Sequence, residues 1–412
     1  MATEDERYRQ STQFRLWAFS PGQLAELRAK TNSLARQNIS ERLSSSAGSL
    51  PSVSATASGN PSGSNTPIPE QISTATAPAD VSFLNANNEP SLPDFLTPTE
   101  EEQLLRFYTV EALRAAEFCR LPTEIRATAA IFLRRFFLTH SIMTYPPTKM
   151  LKTCLFFGAK AENSYPRVNS FAENFPNTTG EEILAGEFLL CQGLRFAFEV
   201  RHPYRALEGA IMQLRSIGDI DDSRITRAQT RGREILKFSP LVTDAYFHYT
   251  PSQIMLAALS IADHGLFERM IELTFPSHSN RQEGGNTDHK AEAVSQIIKE
   301  KTISTVLACK DMLLQEPPER ISDFYGTPEA TSIMKPLIKK LKKCRDPDRF
   351  DLIALHKKRL EFREAETKAA KGVKEEDGAV FGCGSNGVPR SDADRDSKRR
   401  KVAAADPFGP PL

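Results

Sequence analysis

The chain has 412 residues, 40% of them apolar, and 53 lysines and arginines against 52 aspartates and glutamates, a net charge of +1. That length holds two or three domains of ordinary size, and the near-neutral balance removes any global electrostatic case for nucleic acid or a membrane surface. The six cysteines (119, 154, 191, 309, 344 and 383) lie far apart and mostly in apolar helical patterns. This fits free buried thiols in a reducing compartment and excludes a disulfide framework or metal knuckle.

Taken from the N-terminus, Met1 to Gln10 is charged throughout, unlike a secretory signal. Within 1–43 one amphipathic helix is predicted over 14–43, with Ser20 as cap, Pro21 in the first turn and Leu24, Leu27 and Leu34 at helical spacing. Residues 44–92 are rich in Ser, Ala, Pro, Asn and Thr and hold few large apolar side chains. They cannot offset the entropy of ordering and are expected to form a disordered linker. A bundle of five helices is predicted within 93–200. Thr97-Pro98 opens the first, Pro122 the second, the third spans Thr148 to Glu162, a short one follows Pro166, and Thr179 to Leu194 closes the set. Residues 201–316 repeat the order, with helices near 203–216, 222–247, 251–263, 264–275 and 290–314. Charged helices at about 329–344 and 347–371 occupy 317–371, and 372–412 is a polar tail. No stretch alternates as a strand does. Arg134 and Arg135 cut the longest apolar run, so no bilayer span is expected. The expected product is a soluble, intracellular, all-α protein.

The duplication is visible in the residues. Tyr145-Pro146-Pro147-Thr148 opens an apolar stretch, and Tyr249-Thr250-Pro251-Ser252 opens another 104 residues later. Met150, Leu155 and Phe157 match Ile254, Leu259 and Ile261, while Cys154 and Gly158 fall on Ala258 and Ala262. Both segments are apolar around most of their circumference, the mark of a helix enclosed by other helices. Small residues four apart let neighbouring backbones approach closely.

Few residues propose chemistry. The string Gly382, Gly384, Gly387 has Gly-x-Gly-x-x-Gly spacing, but its flanks, Glu375-Glu376-Asp377 and Val388-Pro389-Arg390, supply neither strand nor helix, so it reads as linker. No nucleotide loop, metalloprotease or kinase catalytic-loop pattern occurs, and no cofactor or metal is expected. Glu187 stands on a helical face of Ile183, Leu184, Leu190, Cys191 and Leu194. A carboxylate there needs a counter-charge, because desolvating it unpaired costs several kcal/mol by order of magnitude. Lys160, at the end of the apolar repeat helix, is the obvious candidate, and a structural ion pair is the first reading. Lys398-Arg399-Arg400-Lys401 is a basic cluster in the tail, read either as a solvated run or as a nuclear import signal.

Several strings resemble those of the cyclin H type of transcriptional cyclin, in its fungal form. They are Leu241-Val242-Thr243-Asp244-Ala245-Tyr246 continuing to Tyr249-Thr250-Pro251-Ser252-Gln253-Ile254, His202-Pro203-Tyr204-Arg205 with Glu208-Gly209, and Trp17-Ala18-Phe19-Ser20 followed by Gln23-Leu24-Ala25-Glu26-Leu27-Arg28. Glu316-Pro317-Pro318 and the charged helix beyond fit the family's C-terminal helix. The resemblance covers 13–43 and about 94–360.

It implies two tandem five-helix cyclin-box repeats with extra N- and C-terminal helices, in a regulatory subunit rather than an enzyme. The implied partner is the cyclin-dependent kinase of TFIIH, which phosphorylates the RNA polymerase II tail. A RING-finger assembly factor is the usual third subunit, core TFIIH is reached indirectly, and the location is nuclear. Direct nucleic-acid and membrane contacts are not expected. Lys160 and Glu187 match the family's kinase-contacting lysine and glutamate, and Phe157, Phe196 and Phe198 match apolar interface positions. Ala161-Glu162-Asn163 stands where members often carry an acidic pair, and Glu111-Ala112-Leu113-Arg114-Ala115 replaces the docking motif of cell-cycle cyclins. The alternatives are a C, K or T type cyclin, or a TFIIB-like DNA-binding scaffold; the latter carries an N-terminal zinc ribbon, whereas no cysteine precedes Cys119 here.

Overall fold

The computed structural model describes residues 4–47, 93–276, 289–320 and 328–378. Most of the expected linker, the glycine string and Lys398–Lys401 lie outside the described residues. Among the described residues the regular structure is helix, without strands. The chain divides into two units, 1–356 and 357–412.

The first unit begins with α1 (Glu4–Gln10), α2 (Thr12–Trp17) and α3 (Pro21–Ala47). The single helix predicted over 14–43 is therefore broken at Ala18–Ser20. The break has a tertiary cause: Phe19 N donates to Phe247 O at 2.8 Å, and His248 Nδ1 lies 2.8 Å from Phe19 O, holding this stretch extended against the second repeat. Ser20 restarts the helix as predicted, since its hydroxyl accepts from Gln23 N and its own N–H donates to the Gln23 side chain.

The first repeat comprises α4 (Pro98–Phe118), α5 (Thr123–Thr139), α6 (Pro147–Ala161), α7 (Val168–Ala172) and α8 (Gly180–Gly193). The second follows the same order in α9 (Tyr204–Ile217), α10 (Asp222–Leu236), α13 (Pro251–Ala262), α14 (His264–Thr274) and α15 (His289–Leu314). Two short helices, α11 (Ser239–Val242) and α12 (Ala245–His248), intervene. They correct the helix predicted over 222–247: Pro240 has no amide to donate and disfavours a continuous helix through it, so α10 stops and α11 starts with Pro240 in its first turn. As Ser20 does with Gln23 on α3, Thr97 with Glu100 on α4 and Thr250 with Gln253 on α13 form capping boxes.

α5 is the common axis of both repeats. Only Thr123, Glu124, Arg126 and Thr139 escape burial on it. Ala127, Ala130 and Ile131 join Leu207, Ile211 and Leu259 in the second repeat's core, while Phe132, Leu133 and Phe136 join Met150, Leu151 and Leu190 in the first. The approach of α6 depends on a small residue: a Cβ on Gly158 would lie 3.1 Å from the Ala129 Cβ. The terminal helices complete the first core, since Ala35 and Ile39 of α3 and Leu341 and Cys344 of α16 (Pro328–Cys344) pack into it. α17 (Leu352–Gly378) starts later than the predicted 347, after an Arg345–Asp351 stretch in which buried Asp346 donates its N–H to Met143 O at 2.8 Å and pairs with Arg42. Of the second unit, the described part is the continuation of this helix to Gly378.

Polar groups join the repeats. Arg134, 1% exposed, donates to Val242 O and pairs with Asp244, which also takes a bidentate pair of bonds from Arg28 of α3 at 2.6 and 2.9 Å. Arg28 reaches Glu102 at 3.3 Å, and Arg106 links Glu102 (2.6 Å) to Glu316 (3.5 Å). Burial alone would raise the Asp244 carboxyl, but the two guanidinium groups outweigh it and hold it well below the usual carboxylate range. A second chain runs through Thr128, whose hydroxyl donates to Glu162 at 2.6 Å. His202 Nε2 therefore donates to that hydroxyl at 2.8 Å, and Tyr246 O–H donates to His202 Nδ1 at 2.7 Å. The imidazole is neutral, its pKa lowered to about 3 by burial and by nearby Arg135.

Candidate partner-binding site

The five predicted site residues come together at one edge of the first repeat. Lys160 occupies the last turn of α6, where a cation is favoured by the helix dipole. Its Nζ lies 2.7 Å from Glu187 Oε1 on α8 and 5.2 and 5.9 Å from the ring centres of Phe156 and Phe157. The side chains retain 34% and 19% of their accessible surface. The pair is partly buried, and both groups keep contact with water, which leaves them accessible to a partner.

Beside the pair runs a row of aromatic rings. Phe132, fully buried, anchors it at 6.0 Å from Phe157 and 6.5 Å from Phe198. Phe157 and Phe198 meet edge to face at 5.0 Å, and Phe196 stands 6.4 Å from both Phe198 and Phe188. The row rises from the core to the surface, ending at Phe196, which is 61% exposed. Arg195 and Phe196 follow α8 with φ of +53° and +55°. Two successive non-glycine residues in the left-handed region cost of order 1–3 kcal/mol each and persist only where the surroundings over-determine them. A strained backbone that delivers a large apolar ring to solvent is a feature of binding surfaces, where buried aromatics provide the anchors.

The sequence did not identify Phe188, although it adjoins Glu187 and continues the row. Trp17 entered the sequence reading only within a family string and was not linked to this edge, because Arg135 and Arg195, which face its ring, lie more than a hundred positions away. Cys191, one turn beyond Glu187, has its thiol pushed up to about 11 by burial and by the Glu187 carboxylate, against the effect of Lys160. Among the described residues no group of His, Cys, Asp and Glu could hold a metal ion.

A duplicated five-helix scaffold with flanking terminal helices, carrying a lysine–glutamate pair and aromatic row at one edge, is the cyclin class of fold. Residues 202–314 match the cyclin C-terminal domain. The chain is 31% identical over 283 residues to cyclin CCL1 of Saccharomyces cerevisiae, covering 68% of this chain and 64% of that protein's length. Among solved structures, a chain of the CAK complex from Chaetomium thermophilum, bound to ATP-γ-S, is similar with a TM-score of 0.72 and 46% identity over 88% of this chain and 96% of that one. A chain of the yeast TFIIK (Kin28/Ccl1/Tfb3) complex is similar with a TM-score of 0.51 and 26% identity over 74% and 100%. The chain belongs to the cyclin family and, within it, to the cyclin H type.

Proposed function

We propose that this cyclin binds and activates the cyclin-dependent kinase of TFIIH, and so supports phosphorylation of the RNA polymerase II tail. It acts as a regulatory subunit and not as an enzyme. The similarity to chains of the CAK and TFIIK complexes supports the reading. The observation that carries it is the gathering of Lys160, Glu187, Phe157, Phe196 and Phe198 on one accessible edge. Activation follows from differential affinity: a surface complementary to the active arrangement of the kinase enriches that arrangement by the ratio of its affinities for the two states. The aromatic row supplies the apolar anchor, and the charge pair sets register. A RING-finger assembly factor, comparable to Tfb3 in the yeast complex, is the proposed third subunit, with core TFIIH reached through it. Action on the polymerase tail would take place in the nucleus, which is the proposed location, with Lys398-Arg399-Arg400-Lys401 as the proposed import signal.

The test is a charge swap. Lys160→Glu combined with Glu187→Lys keeps an ion pair within the chain but reverses both charges offered to a partner. Helical content is expected to stay unchanged and the thermal midpoint to fall only slightly, because the swap puts a carboxylate at the C-terminal turn of α6, while affinity for a TFIIH-type kinase falls at least about 30-fold. Activity on a polymerase-tail peptide should fall in parallel. Undiminished binding by the swapped protein would remove this site from the proposal.

A further inference from the structure

Trp17 is the chain's one tryptophan and is 1% exposed at the end of α2. Two guanidinium groups approach its ring, Arg135 at 5.2 Å and Arg195 at 5.4 Å from the centroid. Arg135 in turn donates to Glu199 O at 3.2 Å, and Gln13, also on α2, accepts from Arg201 N at 2.6 Å. These contacts all converge on residues 195–201, the connection between the repeats that carries Phe196 and Phe198. α2 is itself fixed from the other side, because Trp17 shares a buried cluster with Leu24, Leu138 and Phe247. The backbone of Arg195 and Phe196 is closed onto the end of α8, with Arg195 N donating to Gln192 O at 2.8 Å and Phe196 N to Cys191 O at 2.9 Å, and the N-terminal segment adds a side-chain restraint through Arg195 and Trp17.

We propose that α2 clamps the inter-repeat connection, and that Trp17 and Arg195 are positioning residues for the partner site, holding the left-handed pair from which Phe196 projects. The role rests on Phe196 being a partner contact, as proposed above. By this clamp the N-terminal segment shapes the kinase-facing surface through residue 195, without Trp17 itself touching the partner. Cation–aromatic stacking at a partly solvated site is modest in strength, so the clamp is a small bias on the connection, suited to setting a dissociation rate.

Arg195 is the residue to change, since it is exposed, whereas truncating the buried Trp17 would threaten the fold. In the full chain, Arg195→Ala is expected to red-shift Trp17 emission and raise its quenching by acrylamide, with the thermal midpoint unchanged. Affinity for a TFIIH-type kinase should fall about three- to tenfold through faster dissociation. Arg195→Lys, which keeps a cation near the ring, should recover most of both readouts, a rescue that a purely structural role would not predict. Phe196→Ala is the reference. If it weakens binding while Arg195→Ala changes neither fluorescence nor affinity, the clamp is refuted and the proposed function stands. If Phe196→Ala leaves affinity unchanged, the positioning role falls together with that reading of the site. Unaltered Trp17 emission in Arg195→Ala would then remove the clamp as well.

Discussion

Asp244 joins three parts of the molecule, and its removal has a calculable effect. In Asp244→Ala, Arg28 keeps Glu102 at 3.3 Å and some access to water. Arg134 does not have that recourse. Its side chain is 1% exposed and would retain the carbonyls of Leu241 and Val242 and the Phe247 ring at 5.7 Å, with no direct counter-charge. Leaving a buried charge without its partner costs about 3–5 kcal/mol. The Asp244 side chain is itself 14% exposed, so the lower end applies, about 3 kcal/mol. Arg134→Met should cost less, about 1 kcal/mol, because it removes the buried charge while Asp244 keeps Arg28, leaving two carbonyls without a donor. Urea denaturation followed by circular dichroism measures both, as a shift in midpoint at constant slope. The pH dependence has a definite sign. A carboxyl held below its unfolded pKa of about 3.9 contributes fully above that value, and its contribution is lost as the pH falls through the folded value. The gap between wild type and Asp244→Ala should therefore be constant near neutrality and close in acid. A loss under about 1 kcal/mol for Asp244→Ala, or a larger one for Arg134→Met, would refute the account.

Gly158→Ala should destabilise by about 1–3 kcal/mol, because its Cβ would press on the Ala129 backbone, 3.2 Å away, and push α6 off α5; an unchanged urea midpoint would show that the helices can part without loss. A second expectation concerns mild acid. His202 and His140 have pKa values lowered to about 3 and about 4, chiefly by burial, whereas burial raises Glu101 to about 7 against hydrogen bonds from Ser141 and Asn32. Between about pH 5 and 6 the unfolded chain binds two more protons at the histidines and one fewer at the glutamate. Stability should then fall by about 1.4 kcal/mol per pH unit of acidification in that window. His202→Gln should flatten this slope in urea midpoints measured against pH, and an unaltered slope would contradict the assignment.

What could be read from the sequence was local or forced by desolvation. Thr97-Pro98 and Thr250-Pro251 announce helix starts because capping is settled within four residues, and the 104-residue repeat of apolar and small positions encodes the duplication. Glu187 on an apolar face demands a partner, which pointed to Lys160 across 27 residues. The bond between Arg134 and Asp244 spans 110 residues, and no periodicity reports it. Arg134 and Arg135 are visible in sequence only as interruptions of an apolar run, although α5 buries both because the segments around it supply carbonyls, a carboxylate and aromatic faces. The break at Ala18–Ser20 was hidden for the same reason, since the hydrogen bonds that hold it extended come from Phe247 and His248.

These long-range polar contacts explain how a surface on the first repeat depends on the rest of the chain. Apolar packing along α5 is non-directional and tolerates small sliding of one repeat on the other. The chain from Tyr246 through His202 and Thr128 to Glu162 does not, because each donor has one acceptor at 2.6–2.8 Å and the imidazole is held in one tautomer. It ends two residues from Lys160. Glu162 is thereby engaged inside the molecule. At the other end of the site, α2 holds the connection that bears Phe196 and Phe198. The lysine side of the proposed partner surface is thus referenced to the second repeat and the aromatic side to the N-terminal segment. Both references meet at α5, which supplies Thr128 to one and Arg135 to the other.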